Sequence, residues 1–498
     1  MRIRKHLTLL VLLLTAACLV FSACGDVPQE SLPESEPESV AEPSAEESVP
    51  ENNDVPPEVK GLGGRTINVL CTDWSSNIIE GYSGEIIYSS EENNSAVDVA
   101  KKAVVDWVET QYDCTIDGEF DTNYTILTTV SQMVTSGTYS YDVIFTHATN
   151  LTSLVMNGLL TDLNSVKNFN FENSWWDQNA VKDLSLAGRL YFVCGDINTY
   201  DNLGTWAVLF NKTLKTKLNI EEDFYQTVRE KKWTLDHFIE LCKGVTRDST
   251  GDGIQDESDT WAFGTETYNI YAQNVAGGLM ITEKDPEDLP TLTVDTKSEL
   301  TIRMLQKTVD FYNSDEVMVA NGGKYTKYSN PWEETVFKAF REGRELFYEC
   351  GMIHVASFRS MDDDFGILPI PMTLEGQDEY HTTVSTSNAS FMAIPYGVPD
   401  VEDLALVLEA VAMKSQQLLT PEFYEVQLKY REFRDNESGE MLDLIFGSRS
   451  FDIGGMFNWG GIREEYMKLD TDFVSRFDTI LGNVRQQMQN TIEDIQAG

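Results

Sequence analysis

Asp142-Val143-Ile144-Phe145 opens on a carboxylate and continues as three bulky apolar residues, the composition of a short buried strand. Behind it, Leu151–Leu163 returns to helical spacing. Ahead of it, Thr66-Ile67-Asn68-Val69-Leu70-Cys71 reads as a strand with Ile67, Val69 and Cys71 on one face. Between the two strands, Val97, Ala100, Val104, Trp107 and Val108 recur at the helical period, which assigns Trp107 to the core. Strand, helix, strand, helix in this order predicts an α/β fold with parallel strand pairing.

The alternation continues downstream. Arg189–Cys194 and Thr205–Asn211 read as strands. Thr234 is a good helix N-cap, with Asp236 in the first turn and Leu235, Phe238, Ile239 and Cys242 along one face. That helix is expected to end near Val245. Phe365–Leu368 is a short strand closed by Pro369 and Pro371, Val401–Met413 an amphipathic helix, and the chain from about Tyr466 helical and mostly polar. Cys71, Cys114, Cys194, Cys242 and Cys350 are far apart, odd in number and mostly set among apolar residues, the pattern of buried free thiols.

The first sixty residues carry a different signal. A basic start (Arg2, Arg4, Lys5), an apolar run Leu7–Val20 and Phe21-Ser22-Ala23-Cys24 are the marks of a secretory signal, too short to span a bilayer, which takes about 20 residues. It looks like a bacterial lipoprotein signal, residues 1–23, with Cys24 becoming the lipidated first residue; Cys18 is a weaker rival. Residues 24–60 are mostly Pro, Ser, Glu and Val, a composition that cannot bury enough surface to order itself and reads as an acidic tether. The remaining roughly 435 residues suit two lobes of about 200 each. The net charge of −44 makes nucleic acid and anionic lipid poor partners, because binding them requires basic surface.

Asp248-Ser249-Thr250-Gly251-Asp252-Gly253-Ile254-Gln255-Asp256-Glu257-Ser258-Asp259 has the spacing of a twelve-residue calcium loop. Asp248, Thr250, Asp252, Asp256 and Asp259 supply side-chain oxygens, Ile254 a carbonyl and Gly253 the turn. Thr250 is a neutral donor and Asp259 stands where a longer glutamate usually grips the ion, so the expectation is a weak structural site, ~10⁻⁴–10⁻³ M. The plain alternative is an acidic glycine-rich turn without metal. Asp364-Phe365-Gly366 spells a kinase triplet, but no glycine-rich nucleotide loop or His-Arg-Asp loop accompanies it. The five histidines lack metal spacing and no Gly-x-Ser-x-Gly elbow occurs, so nothing in the sequence argues for catalysis.

In open α/β sheets, ligands sit beyond the carboxyl ends of the strands. By that rule the candidate binding residues are Asp73 and Trp74, then Thr146 and His147, then Asp196, Asn198 and Tyr200, with Trp206 just beyond. Aromatic faces beside carboxylates and amides suit a sugar, whose ring faces stack and whose hydroxyls need hydrogen-bond partners. Arg359, ahead of the acidic turn Asp362–Asp364, and Trp459, in Phe457-Asn458-Trp459-Gly460-Gly461, join the set.

Several pieces, taken in order, resemble the extracellular solute-binding proteins of bacterial ABC importers, in the branch that mostly serves sugars and oligosaccharides. They are Tyr141-Asp142-Val143-Ile144, Gly158-Leu159-Leu160-Thr161-Asp162-Leu163, Trp175-Trp176-Asp177, Phe210-Asn211-Lys212, Lys232-Trp233-Thr234-Leu235-Asp236, Trp261-Ala262-Phe263-Gly264 and Asp364–Pro371. The resemblance implies a two-lobed, periplasmic-binding-protein-like fold of type II with a hinge and an interlobe cleft. By analogy, lobe 1 is 61–200 plus 385–430, lobe 2 is 201–384 plus 431–498, and the hinges lie near Asp196–Asp201 and Thr382–Ser387. It also implies a lipid-anchored monomer on the outer face of the cell membrane that binds a small carbohydrate and hands it to ABC permease subunits, without catalysis. The family has no fixed binding motif, so the site residues rest on strand-end geometry. Two rival readings remain: a surface glycan hydrolase with its acid and base in the cleft, and an adhesion or sensory module that does not serve transport.

Overall fold

The computed structural model describes residues 54–73, 86, 96–122, 124–322, 325, 327–373, 376–424 and 435–497. Trp74 and Cys24 lie outside the described residues. The strand Arg65–Thr72 is central in the first sheet, whose order is Phe391–Ala393, Val143–Thr146, Arg65–Thr72, Cys114–Asp121. It runs parallel to Val143–Thr146, with Val69 opposite Val143, and parallel to Cys114–Asp121, with Arg65 opposite Cys114. The helix Ala96–Tyr112 makes the connection, burying Val97, Ala100, Val104 and Val108. Trp107 is half-buried at its edge, with Lys414 Nζ 5.1 Å from the ring centroid.

The second sheet has the order Phe365–Leu368, Trp206–Asn211, Glu345–Gly351, Trp261–Thr265, Val317–Val319. Trp261–Thr265 is parallel to both its neighbours, whereas Trp206–Asn211 runs antiparallel to Glu345–Gly351 and Phe365–Leu368. Aromatic packing fills the space beneath it: Phe238 meets Phe347 at 4.7 Å and Phe263 at 5.0 Å. Trp233 is wholly buried and donates Nε1–H to Pro369 O at 2.8 Å. Thr234 caps the helix Leu235–Cys242 as its sequence predicts, accepting from His237 N.

Two separate stretches cross between the sheets and touch. Thr205 bridges Val384, and Ser385 N–H donates to Gly204 O at 2.8 Å. A Cβ on Gly204 would lie 2.5 Å from Ala389 Cβ, so glycine is what lets the two crossings approach. A third strand, Arg449–Ser450, pairs in parallel with Thr382–Thr383 beside them.

Several expected elements change. The helix expected over Leu151–Leu163 is Ala148–Met156; Gly158, at φ 65°, turns the chain out, and Leu160 then bridges Pro395. Arg189–Cys194 is no strand. Ala187 and Gly188, both at positive φ, fold a tight turn that pairs Leu186 with Arg189, after which Val193 makes a single bridge to Met392. The helix expected to reach Val245 stops at Cys242, and the one beginning at Val401 continues to Pro421. The terminal helix is Phe473–Ala497, and its polar sequence still buries Phe473, Phe477, Leu481 and Val484. The five body cysteines are free and buried. Among the described residues no helix is long and apolar enough to cross a membrane.

Candidate interlobe binding site

The carboxyl ends of the three mutually parallel strands of the second sheet open onto a cavity of about 680 Å³. Trp261–Thr265 delivers Glu266, Val317–Val319 leads to Asn321, and Glu345–Gly351 runs into the turn Met352–Phe358 that carries His354. Trp332 and Phe337 line the cavity from the side, and Asn388 enters it from the crossing that continues into the first sheet. A turn of π-helix, Glu333–Phe337, forms this wall; such turns recur at functional sites.

The ring geometry is fixed by packing. Trp332 lies 4.6 Å from His354 and 4.5 Å from Phe337 between centroids, and its Nε1–H donates to Tyr348 Oη at 2.8 Å. With its polar Nε1–H occupied in this way, the indole presents apolar ring surface to the cavity. Arg341 sits over the Phe337 ring at 5.3 Å. Burial pushes the His354 imidazole down to about 4, so it is neutral at physiological pH. Burial pushes Glu266 up to about 7 against the hydrogen bond from Asn321, and the half-buried side chain lines the cavity.

The first sheet brings its strand ends to the same crossing. Thr72 and Thr146 share a hydroxyl hydrogen bond of 2.7 Å, and Asn150 Nδ2 donates to Thr146 at 3.0 Å. His147 caps Ala148–Met156 by accepting from Asn150 N, and Thr149 N–H donates to Thr386 O at 3.3 Å. Asp73 is half-buried just beyond Thr72. Thr146, His147 and Asp73 are thus gathered at one strand end. Trp206 starts its strand 4% exposed and stacks on Tyr268 at 5.2 Å.

The other expected residues lie elsewhere. Asn198 and Tyr200 are buried in the crossing: Asn198 Oδ1 accepts from the amides of Tyr200 and Asp201 at 3.0 and 3.3 Å. Asp196 accepts from Thr420 Oγ1 at 2.6 Å. They brace the crossing and are absent from the cavity wall, because the strand whose end they were to occupy does not form. Arg359 is exposed just past the turn that carries His354. Trp459 is a correction of another kind. It is 1% exposed, stacks on Phe457 at 4.9 Å and donates to Thr491 Oγ1 at 3.0 Å. Gly460 and Gly461, both at positive φ, turn the chain so that the indole anchors the terminal helix.

Glu266, Asn321, Trp332, His354 and Asn388 escaped the sequence reading. The strand-end rule finds the first, second and fourth once Trp261–Thr265, Val317–Val319 and Glu345–Gly351 are recognised as strands. Leu346-Phe347-Tyr348 was the available signal.

The loop Asp248–Asp259 closes on its own backbone. Asp248 accepts from Gly251 N and Gly253 N at 2.6 and 2.7 Å, Asp252 from Ile254 N at 2.8 Å, and Asp259 from Ser249, Thr250 and Asp256 N at 2.8, 3.0 and 3.0 Å. Among the described residues no group of three or more His, Cys, Asp or Glu side chains is placed to hold a metal ion. The donor set read from the spacing is therefore not assembled into a cage, and binding there would have to compete with these amide bonds.

Residues 103–420 match the family described as bacterial extracellular solute-binding protein. A comparison with curated proteins gives no match. Among solved structures, the chain is similar to the cyclic α-maltosyl-1,6-maltose binding protein from Arthrobacter globiformis, at 13% identity and TM-score 0.54, over 87% of this chain and 100% of that one. It is similar to the maltose-binding protein from Listeria monocytogenes in complex with maltose, at 11% identity and TM-score 0.53, over 87% and 98%. It is also similar to an ABC substrate-binding protein from Listeria monocytogenes in complex with cycloalternan, at 12% identity and TM-score 0.51, over 87% and 98%. At such identities the likeness is one of fold, and it is two-lobed.

Proposed function

The chain belongs to the bacterial extracellular solute-binding proteins, and we propose that it captures a carbohydrate in the interlobe cavity and presents it to the permease of an ABC importer. The observation that carries this reading is the half-buried Trp332 indole that lines the cavity beside His354 and Phe337, with Asn321, Asn388 and Glu266 around it. A pyranose has an apolar face for the indole and hydroxyls for the amides and the carboxylate. The fold relatives in complex with cycloalternan and with maltose are consistent with this class of ligand.

Capture works by closure. The sheets are joined through crossings that touch at Gly204 and Ala389, and a ligand in contact with both lobes favours the closed arrangement by its differential affinity. Lipidation at Cys24 and the acidic stretch after it would hold the receptor on the outer face of the membrane while leaving it free to reach permease subunits. The strongly negative charge argues against nucleic acid as a partner. We take the receptor to act as a monomer and to leave its ligand chemically unchanged.

A melting screen against maltose, maltotriose, cellobiose, xylobiose and cycloalternan tests the reading. At least one sugar should raise the melting temperature with a Kd on the order of 10⁻⁶ M, and scattering should record a more compact liganded form. The sugar should be recovered intact after incubation. A screen without any shift would overturn the carbohydrate assignment, and shortened products would favour a glycan hydrolase.

A further inference from the structure

The second sheet places three glutamates in and behind the cavity wall. Glu266 faces the cavity, and Asn321 Nδ2, at 2.9 Å from Oε2, is its one protein donor among the described residues. Glu349, on the adjacent strand, accepts from Tyr312 Oη at 2.8 Å and Thr265 Oγ1 at 3.0 Å, while its Oε1 is buried without a partner. Glu345, two turns of the pleat earlier on the same strand, has neither oxygen partnered. Among the described residues none of the three is in an ion pair.

Arg344 reaches Glu345, but among the described residues no cation lowers Glu266 or Glu349. Burial keeps Glu349 neutral up to about 8 and raises Glu345 well above the usual carboxylate range against the pull of Arg344. His354 is neutral, Tyr312 and Tyr348 are protonated, and Glu333 and Arg341 stand exposed at the rim. A carboxyl withdrawn from water, with one neutral donor and no cation paired to it among the described residues, holds its proton to higher pH than a solvated one. Glu266 is also the member of the three with an oxygen open to the cavity.

We propose that Glu266 makes capture proton-linked: its carboxylate accepts a hydrogen bond from a ligand hydroxyl, and binding releases the proton that the empty cavity holds. This rests on the cavity being the carbohydrate site. The direction follows from charge. A hydroxyl donor favours the ionised carboxylate, so affinity falls on acidification, by at most about tenfold per pH unit for one proton.

The test has two arms. In the first, maltose affinity is measured by calorimetry at pH 5.5, 6.5 and 7.5 for the wild type and Glu266→Gln. The wild-type Kd should rise about tenfold or more from pH 7.5 to 5.5, while the variant binds more weakly at pH 7.5 and without this slope. Parallel slopes, or tighter wild-type binding in acid, would overturn the proposal. The second arm needs no sugar. A carboxyl that titrates higher folded than unfolded stabilises the protein below its unfolded pKa and loses that contribution as pH rises through its folded value. The wild type should therefore lose urea resistance relative to Glu266→Gln between pH 5 and 8. If maltose fails to bind at any pH but this loss appears, the proton site stands and the choice of ligand falls. If the loss is absent, the proposal falls with or without binding.

Discussion

Arg449 donates to Asp201 in the first crossing, Nη1 to Oδ2 at 3.0 Å, with both side chains nearly excluded from water. The same guanidinium pairs through Nη2 with Asp177, which also caps the helix Gln178–Leu184, and reaches Asn202 Oδ1 at 3.0 Å. One cation therefore ties together the end of the Trp175-Trp176-Asp177 segment, the first crossing and the strand Arg449–Ser450. Removing it strands two buried carboxylates. Arg449→Met is expected to cost about 3–5 kcal/mol, the penalty for breaking a buried pair from one side, measured as a fall in the urea midpoint.

A second polar knot forms on the helix Val401–Pro421. Glu409, 1% exposed, accepts from Trp175 Nε1 at 2.7 Å, Trp176 Nε1 at 2.9 Å and Asn170 N at 2.8 Å. Glu409→Gln replaces one acceptor oxygen with an amide group that cannot accept, leaving an indole N–H or a backbone N–H buried without a partner. The expected loss is about 1–3 kcal/mol, read by thermal melting, with a change in tryptophan emission.

Trp332 and Trp459 should separate binding from folding. Trp332→Ala removes the half-buried ring that lines the cavity and is expected to weaken sugar binding roughly tenfold, from the ~0.5–1.5 kcal/mol of a stacked aromatic contact, with a smaller change in melting temperature. Trp459→Ala empties a core site and is expected to cost about 3–5 kcal/mol of stability without altering affinity in molecules that remain folded. Calorimetry and melting on both variants check the pair, and the reverse pattern would move the site.

The loop Asp248–Asp259 should be stabilised by its own amides. Burial raises the Asp259 carboxyl, but the amides of Asp256, Thr250 and Ser249 outweigh it and hold it below the usual range. A depressed carboxyl contributes stability above its unfolded pKa and loses it as pH falls through the lower folded value. Asp259→Ala should therefore cost most near neutral pH and least in strong acid. With the carboxylates engaged as they are, melting in calcium and in chelator is expected to coincide; a rise in calcium would show that the loop opens to an ion.

Much of the fold was legible because periodicity and capping are local. The strands around Ile67 and Val143, the Thr234 cap, the buried thiols and the strand Phe365–Leu368 all follow from neighbours within a few residues. The strand-end rule also placed Thr146 and His147 at the carboxyl end of Val143–Thr146, where they stand. It misplaced Asn198 and Tyr200 because a run that looked extended found a single bridging partner, and it missed Glu266 because the strand feeding it was overlooked.

By itself the sequence determined the α/β alternation and the acidic, Pro- and Ser-rich composition of residues 24–60. Which strand ends share a cavity, that Trp459 is core while Trp332 lines the wall, and that Arg449 meets Asp201 were decided only by the tertiary structure. Each of these depends on residues far apart in the chain, brought together by sheet pairing and by the close passage of Gly204 against Ala389. Local chemistry specifies which residues can stack or accept a hydrogen bond; long-range packing selects the ones that do so in the same place.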